Sequence, residues 1–125
     1  MLMCKMLLSI NPEHVENIIS GKKKFEFRKT RCRSSIDKII IYATSPVMQI
    51  IGEVDVTNTI IDLPEKVWSL TAEHSGISKS FFDKYFLNKE YAVAYELSNV
   101  QLYKKPLKLE DLGLSYAPQS FVYIA

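Results

Sequence analysis

A chain of 125 residues with 47% hydrophobic and 24% charged side chains has the length of one domain and the composition of a folded protein, which excludes a disordered tail. No apolar run approaches the roughly 20 residues of a membrane-spanning helix, so no membrane partner is expected. The formal net charge of +2 says little by itself, but its distribution does.

Lys22, Lys23, Lys24, Arg28, Lys29, Arg31 and Arg33 fall within one short stretch whose only acid is Glu26, and acidic residues outnumber basic ones over the rest of the chain. A local cationic patch on an acidic body is a place for an anion to land, or else a solvated surface run. Cys4 and Cys32 form no CxxC, and His14 and His74 stand alone, so neither a metal site nor a cofactor is expected and neither histidine is assigned a role. Two cysteines with no secretory leader point to a reducing, cytoplasmic setting. The chain reads as a single domain over residues 1–125.

In chain order, Met6–Ile10 reads as a short buried strand. Asn11 caps a helix over Pro12–Ser20, with Pro12 in the first turn and Glu13 and Glu16 at the positive end of the dipole. Val15, Ile18 and Ile19 form its apolar stripe, and Gly21 takes the left-handed position after it. Phe25-Glu26-Phe27-Arg28 alternates as a half-buried strand, sending both phenylalanines to the core and Glu26 and Arg28 to the other face. Ile36–Ala43 and Gln49–Ile61 follow as strands, the second with a bulge expected at Gly52. Asp62 and Glu65 stand in capping-box spacing before a helix bearing Val67, Trp68 and Leu70. Ser78 caps another, whose Phe81–Phe86 aromatics are assigned to the core. Tyr91–Tyr103 is again a strand, Lys104–Ser115 a connector, and Phe121–Ile124 a terminal strand. The order β-α-β-β-β-α-α-β-β does not alternate, so an antiparallel, mostly closed barrel decorated by helices is expected over a parallel sheet.

The stretch that carries chemistry is Ser20-Gly21-Lys22-Lys23-Lys24-Phe25-Glu26-Phe27-Arg28. Lysine and arginine donate to phosphate or carbonyl oxygens, and a carboxylate accepts from a base or an amine. Alternatively Glu26 and Arg28 simply pair with each other, and Lys23 is a solvated lysine beyond a helix end.

Gly21-x-Lys23-x-x-Glu26-x-Arg28 resembles the GxKxxExR signature of the ASCH family in the PUA-like superfamily. The flanks are similar too: Leu8-Ser9-Ile10-x-Pro12, Ile41 to Pro46 with Ile51-Gly52-Glu53, Gly76-Ile77-Ser78 with Phe82-Asp83-x-Tyr85-Phe86, and Pro118-Gln119-Ser120-Phe121. The resemblance covers essentially the whole chain. It implies an α+β fold, a PUA-like antiparallel β-barrel decorated by helices, with a ligand cleft beside the first helix.

It further implies RNA or a nucleotide-like ligand as partner, held by Lys23, Glu26 and Arg28. Tyr42 and Ser45 are placed at the cleft wall, with Tyr42 equally readable as core. Gln119 and Ser120 reach the same cleft or make a turn. Lys22, Lys24, Lys29, Arg31 and Arg33 form an electrostatic rim. Trp68 is either a base-stacking platform or, favoured by its spacing from Val67 and Leu70, a packing residue.

Some family members are enzymes. One bacterial branch is an amidohydrolase on acylated cytidine that uses a lysine-activated threonine and a glutamate. Lys23 matches that lysine, but Glu26 stands where the threonine would be. Other members are ribonucleases. Were this chain a small hydrolase, on RNA or on a modified nucleoside, Lys23 and Glu26 are its candidate catalytic residues. Nothing in the sequence supports DNA binding, and the oligomeric state is left open.

Overall fold

Asn11 accepts a hydrogen bond from the Glu13 amide through its side-chain oxygen at 2.9 Å, and the helix this starts sets the position of everything around the cleft. In the computed structural model, which describes residues 4–30, 35–118 and 121–124, strand β1 (Lys5–Ile10) leads into helix α1 (Pro12–Ile19). Val15 and Ile18 are its buried face. Ser20 and Gly21 then turn back their amides to the Glu16 and Ile18 carbonyls, with Gly21 at φ 83°, and the chain enters β2 (Phe25–Arg28).

The remaining elements are β3 (Lys38–Ala43), β4 (Gln49–Asp62), α2 (Pro64–Thr71), α3 (Lys79–Tyr85), β5 (Ala92–Leu107) and β6 (Phe121–Ile124), with short 3₁₀ turns at Ala72–His74 and Leu109–Leu112. Ser78 caps α3 through the Phe81 amide at 3.1 Å. At α2 the expected capping box does not form. Leu63 occupies the cap with no side-chain bond, and Asp62 accepts instead from the Leu63 amide. β5 continues through the expected connector to Leu107, because Leu107 still pairs with Ile50 of β4.

Six strands form one sheet in the order β2-β5-β4-β3-β1-β6. It curls into a half-barrel and has an α+β architecture, but it is mixed, not wholly antiparallel. β1 and β3 pair in parallel, Lys5 opposite Lys38 through Ile10 opposite Ala43. A parallel pair needs a long crossover, and the segment holding α1 and β2 provides it. Register shifts along β4 and β5, one of them between Ile50 and Gly52, bend the sheet as bulges do. Closure is incomplete: among the described residues β2 ends the sheet at one edge and β6 at the other.

Three apolar clusters hold this frame. Met6, Leu8, Ile39, Ile41, Val54, Val93 and Tyr95 fill the curl together with α1. Leu7, Ile40, Tyr42 and Ile50 are covered by the segment Leu107–Ala117 and by β6. Phe25, Phe27, Phe82 and Phe86 pack with Val67 of α2. Phe27 meets Phe82 edge to face with ring centroids 5.4 Å apart, a geometry worth about 0.5–1.5 kcal/mol beyond area burial. The aromatic run of α3 is divided, however. Phe82 and Phe86 are core, while Phe81 is 47% exposed, since a helix turns neighbouring residues about 100° apart and a single core face holds only one i,i+4 stripe.

Candidate functional site: a cleft at the open seam of the half-barrel

The seam where β2 fails to meet β1 is bridged by one side chain. Arg28, at the end of β2, donates through Nη2 to the Ser9 carbonyl of β1 at 3.0 Å. The same guanidinium donates to Glu26 Oε2 through Nε at 3.0 Å and Nη2 at 2.7 Å. The alternation of β2 puts both residues on one face, and their separation of two residues makes the pair local. Beside this bridge lies a cleft of about 150 Å³, with the buried or largely buried Lys23, Glu26 and Arg28 as its floor and with Ser9, Asn11, His14, Phe27, Ile77, Phe81 and Tyr85 around it.

Lys23 is the unusual floor residue, because its side chain is charged and only 3% of it reaches solvent. Its backbone amide bonds the Asn17 carbonyl at 2.9 Å, which turns the side chain inward. Nζ donates to the Ser75 carbonyl at 3.0 Å and sits 4.8 Å from the centre of the Phe27 ring. Gly76, at φ 71°, leaves the space that the lysine stem occupies: a Cβ there would lie 2.5 Å from Lys23 Cβ. Burial pushes the Lys23 ammonium below its ordinary pKa; Glu26 opposes that shift and Arg28 adds to it.

His14 also has its pKa lowered, first by burial and then by Lys23, which favours the neutral imidazole. Its Nδ1 is buried with no hydrogen-bond partner among the described residues. Tyr85 donates its hydroxyl to the Phe27 carbonyl at 3.4 Å, and burial raises its pKa. The cleft thus pairs an apolar aromatic wall with a cationic floor and one carboxylate, and this combination suits a flat heterocycle joined to an anion.

Of the residues singled out from sequence, the structure brings Lys23, Glu26 and Arg28 together here. Glu26 and Arg28 also make the mutual pair that was the alternative reading, but with Glu26 only 6% exposed it is not a solvated surface pair. Tyr42 is 3% exposed and lines a separate cavity with Met48, Gln49 and Lys108. Ser45 is exposed in the β3–β4 loop. Gln119, Ser120, Arg31 and Arg33 lie outside the described residues; the Pro118 carbonyl accepts from Ser9 Oγ at 2.8 Å. Lys22, Lys24 and Lys29 are exposed around the cleft strand, and Lys29 Nζ lies 4.6 Å over the Tyr85 ring. Trp68 packs on Phe82 with centroids 5.0 Å apart, away from the cleft.

His14, Phe81 and Tyr85 are cleft residues that sequence reasoning missed. The available signal was the spacing of α3, where Phe81 and Tyr85 form an i,i+4 pair distinct from Phe82 and Phe86.

Residues 8–106 match the ASCH domain family, and the chain belongs to that family. Over 123 residues it is 31% identical to the ASCH domain-containing ribonuclease of Zymomonas mobilis, covering 94% of this chain and 82% of the relative. The crystal structure of ASCH from Zymomonas mobilis superposes with a TM-score of 0.87 at 28% identity, covering 97% of this chain and 87% of that one. The chain is also 25% identical over 120 residues to large ribosomal subunit protein uL22 of Ureaplasma parvum, spanning 95% of its own length but only 39% of that relative. No helix among the described residues is long and apolar enough to cross a membrane.

Proposed function

We propose that this protein binds single-stranded RNA, seating one nucleotide in the seam cleft over Lys23, Glu26 and Arg28. The observation that carries the reading is the buried ammonium of Lys23 beside the Arg28–Glu26 bridge, on a floor faced by aromatic rings. Burying charge is costly, and a protein retains it where the charge has work to do. The rim of Lys22, Lys24 and Lys29 attracts phosphates without regard to sequence, while the floor recognises one nucleotide. The name of the Zymomonas mobilis relative supports RNA as the polymer.

A second reading, RNA cleavage, is favoured by that same relative and by the unpartnered His14 Nδ1. There the His14 imidazole takes the proton of a ribose 2′-hydroxyl as its oxygen attacks the adjacent phosphorus, and the bond from phosphorus to the 5′-oxygen breaks. The Lys23 ammonium gives that leaving oxygen a proton, and Arg28 balances the charge that develops on the phosphate.

One set of titrations tests both readings. A short labelled RNA is titrated with wild type, Arg28→Lys and Lys24→Ala at several salt concentrations, and the RNA is afterwards run on a denaturing gel. Arg28→Lys keeps a charge but loses the planar fork, and a charge-assisted contact is worth about 1.5–3 kcal/mol, so roughly a 10- to 150-fold loss is expected. Lys24→Ala costs little and flattens the salt slope by up to roughly one unit. Arg28→Lys binding like wild type while Lys24→Ala is crippled would make the rim the site and refute the cleft. Shortened RNA that disappears with Lys23→Ala promotes the second reading.

A further inference from the structure

Phe81 is a large apolar side chain at the mouth of a polar cleft with nearly half its surface in water. Its neighbours hold it there. Tyr85 lies almost parallel to it, at 10° with centroids 6.3 Å apart, and the His14 ring meets it at 66° and 5.7 Å. The ring is therefore oriented before any ligand arrives, and ordering it on binding costs little entropy. Cations lie near it: Lys29 sits over the neighbouring Tyr85 ring, and Lys23 and Arg28 line the same cleft. An exposed flat apolar face within a cationic surround is complementary to a polymer of flat bases joined by anions, and not to an aliphatic ligand.

We propose that Phe81 is a stacking platform for an unpaired base at the mouth of the cleft, with Tyr85 and His14 as positioning residues that hold its ring. This rests on the RNA reading and deepens it: the ligand is single-stranded at this point, and its affinity comes partly from a ring face in addition to charge. A base in a duplex already has both faces stacked, so the platform selects against double strands.

The test compares wild type, Phe81→Ala, Phe81→Leu and Phe81→Trp, each checked for an unchanged circular dichroism spectrum. Each is titrated with a labelled single-stranded RNA of about ten nucleotides, within the range of known single-strand sites, and with its duplex. Stacking a base on one aromatic ring is worth about 1–3 kcal/mol, so Phe81→Ala loses roughly 5- to 150-fold for single strands. Phe81→Leu restores apolar bulk and not affinity, whereas Phe81→Trp retains it. A 2-aminopurine base in the single strand is quenched on wild type and not on Phe81→Ala. Single-strand binding that is equal in wild type and Phe81→Ala overturns the platform and leaves the RNA reading standing, as does a leucine variant that binds like wild type. Wild type that binds no RNA overturns both, and equal affinity for single strand and duplex overturns the selectivity.

Discussion

Gly76 and Gly113 have nearly the same backbone, φ 71° and φ 77°, but different surroundings, and replacing each by alanine separates two costs. The left-handed conformation costs any residue with a Cβ about 1–2 kcal/mol, and both variants incur it. At Gly113 an added Cβ meets nothing within 4 Å. At Gly76 it would lie 2.5 Å from Lys23 Cβ, 2.8 Å from Cγ and 3.1 Å from Cα, and the buried stem has nowhere to move without breaking the bond to the Ser75 carbonyl. Overpacking of this kind adds about 1–3 kcal/mol. Gly113→Ala is therefore expected to lose about 1–2 kcal/mol and Gly76→Ala about 2–5 kcal/mol. At roughly 4 °C per kcal/mol for a chain of this size, the melting temperature falls by roughly 4–8 °C in one and 8–20 °C in the other. Scanning calorimetry measures both. Titration with the short RNA, well below either melting temperature, adds a functional readout: Gly76→Ala displaces Lys23 and weakens binding, and Gly113→Ala does not. Losses equal to within about 0.5 kcal/mol would refute the close approach of Gly76 to Lys23, and with it the account of how the lysine is held inward.

Two further outcomes follow from the charges in the cleft. Lys23→Met exchanges a buried ammonium for an apolar side chain of similar volume, which removes the cost of burying a charge but leaves the Ser75 carbonyl without its donor at a cost of about 1–3 kcal/mol. The net change in stability should be small while RNA affinity is lost, and a drop larger than about 3 kcal/mol would show that the ammonium is retained for the fold. His14 has its pKa lowered by burial and Lys23, with Arg28 adding to the shift and Glu26 and Glu13 opposing it. Between that lowered value and the unfolded value of about 6.5, the unfolded chain binds more protons, so this contribution to stability falls as the pH drops below about 6.5. The loss in urea midpoint between about pH 7.5 and about pH 5.5 should therefore be smaller in His14→Phe than in wild type, and an unchanged difference would show that His14 does not titrate in a buried setting.

Much of this protein is written locally. Asn11, Pro12 and Gly21 mark the ends of α1 because capping, a fixed φ and a left-handed turn are properties of single residues and their immediate neighbours. The alternation Phe25-Glu26-Phe27-Arg28 places two residues on each face of β2 because a strand has a period of two, and the stretch from Gly21 to Arg28 supplies Lys23, Glu26 and Arg28 to the cleft. Sequence alone did not determine that the sheet is mixed, since the partner of β1 lies beyond the crossover holding α1 and β2, and strand pairing over such a distance leaves no local trace. Nor did it determine that Tyr42 turns to a different cavity from Arg28, or that Phe81 stands outside the core while Phe82 is inside. Those outcomes depend on where α3 docks against β2, which the aromatic run by itself leaves open. The cleft belongs to tertiary structure most completely. Lys23 is buried because the segment Ser75-Gly76, more than fifty residues further along the chain, closes over it, and Arg28 reaches Ser9 because the sheet curls until its open edge faces β1. Burial and long-range approach arise from packing the whole chain, whereas caps, turns and strand faces arise from a few consecutive residues.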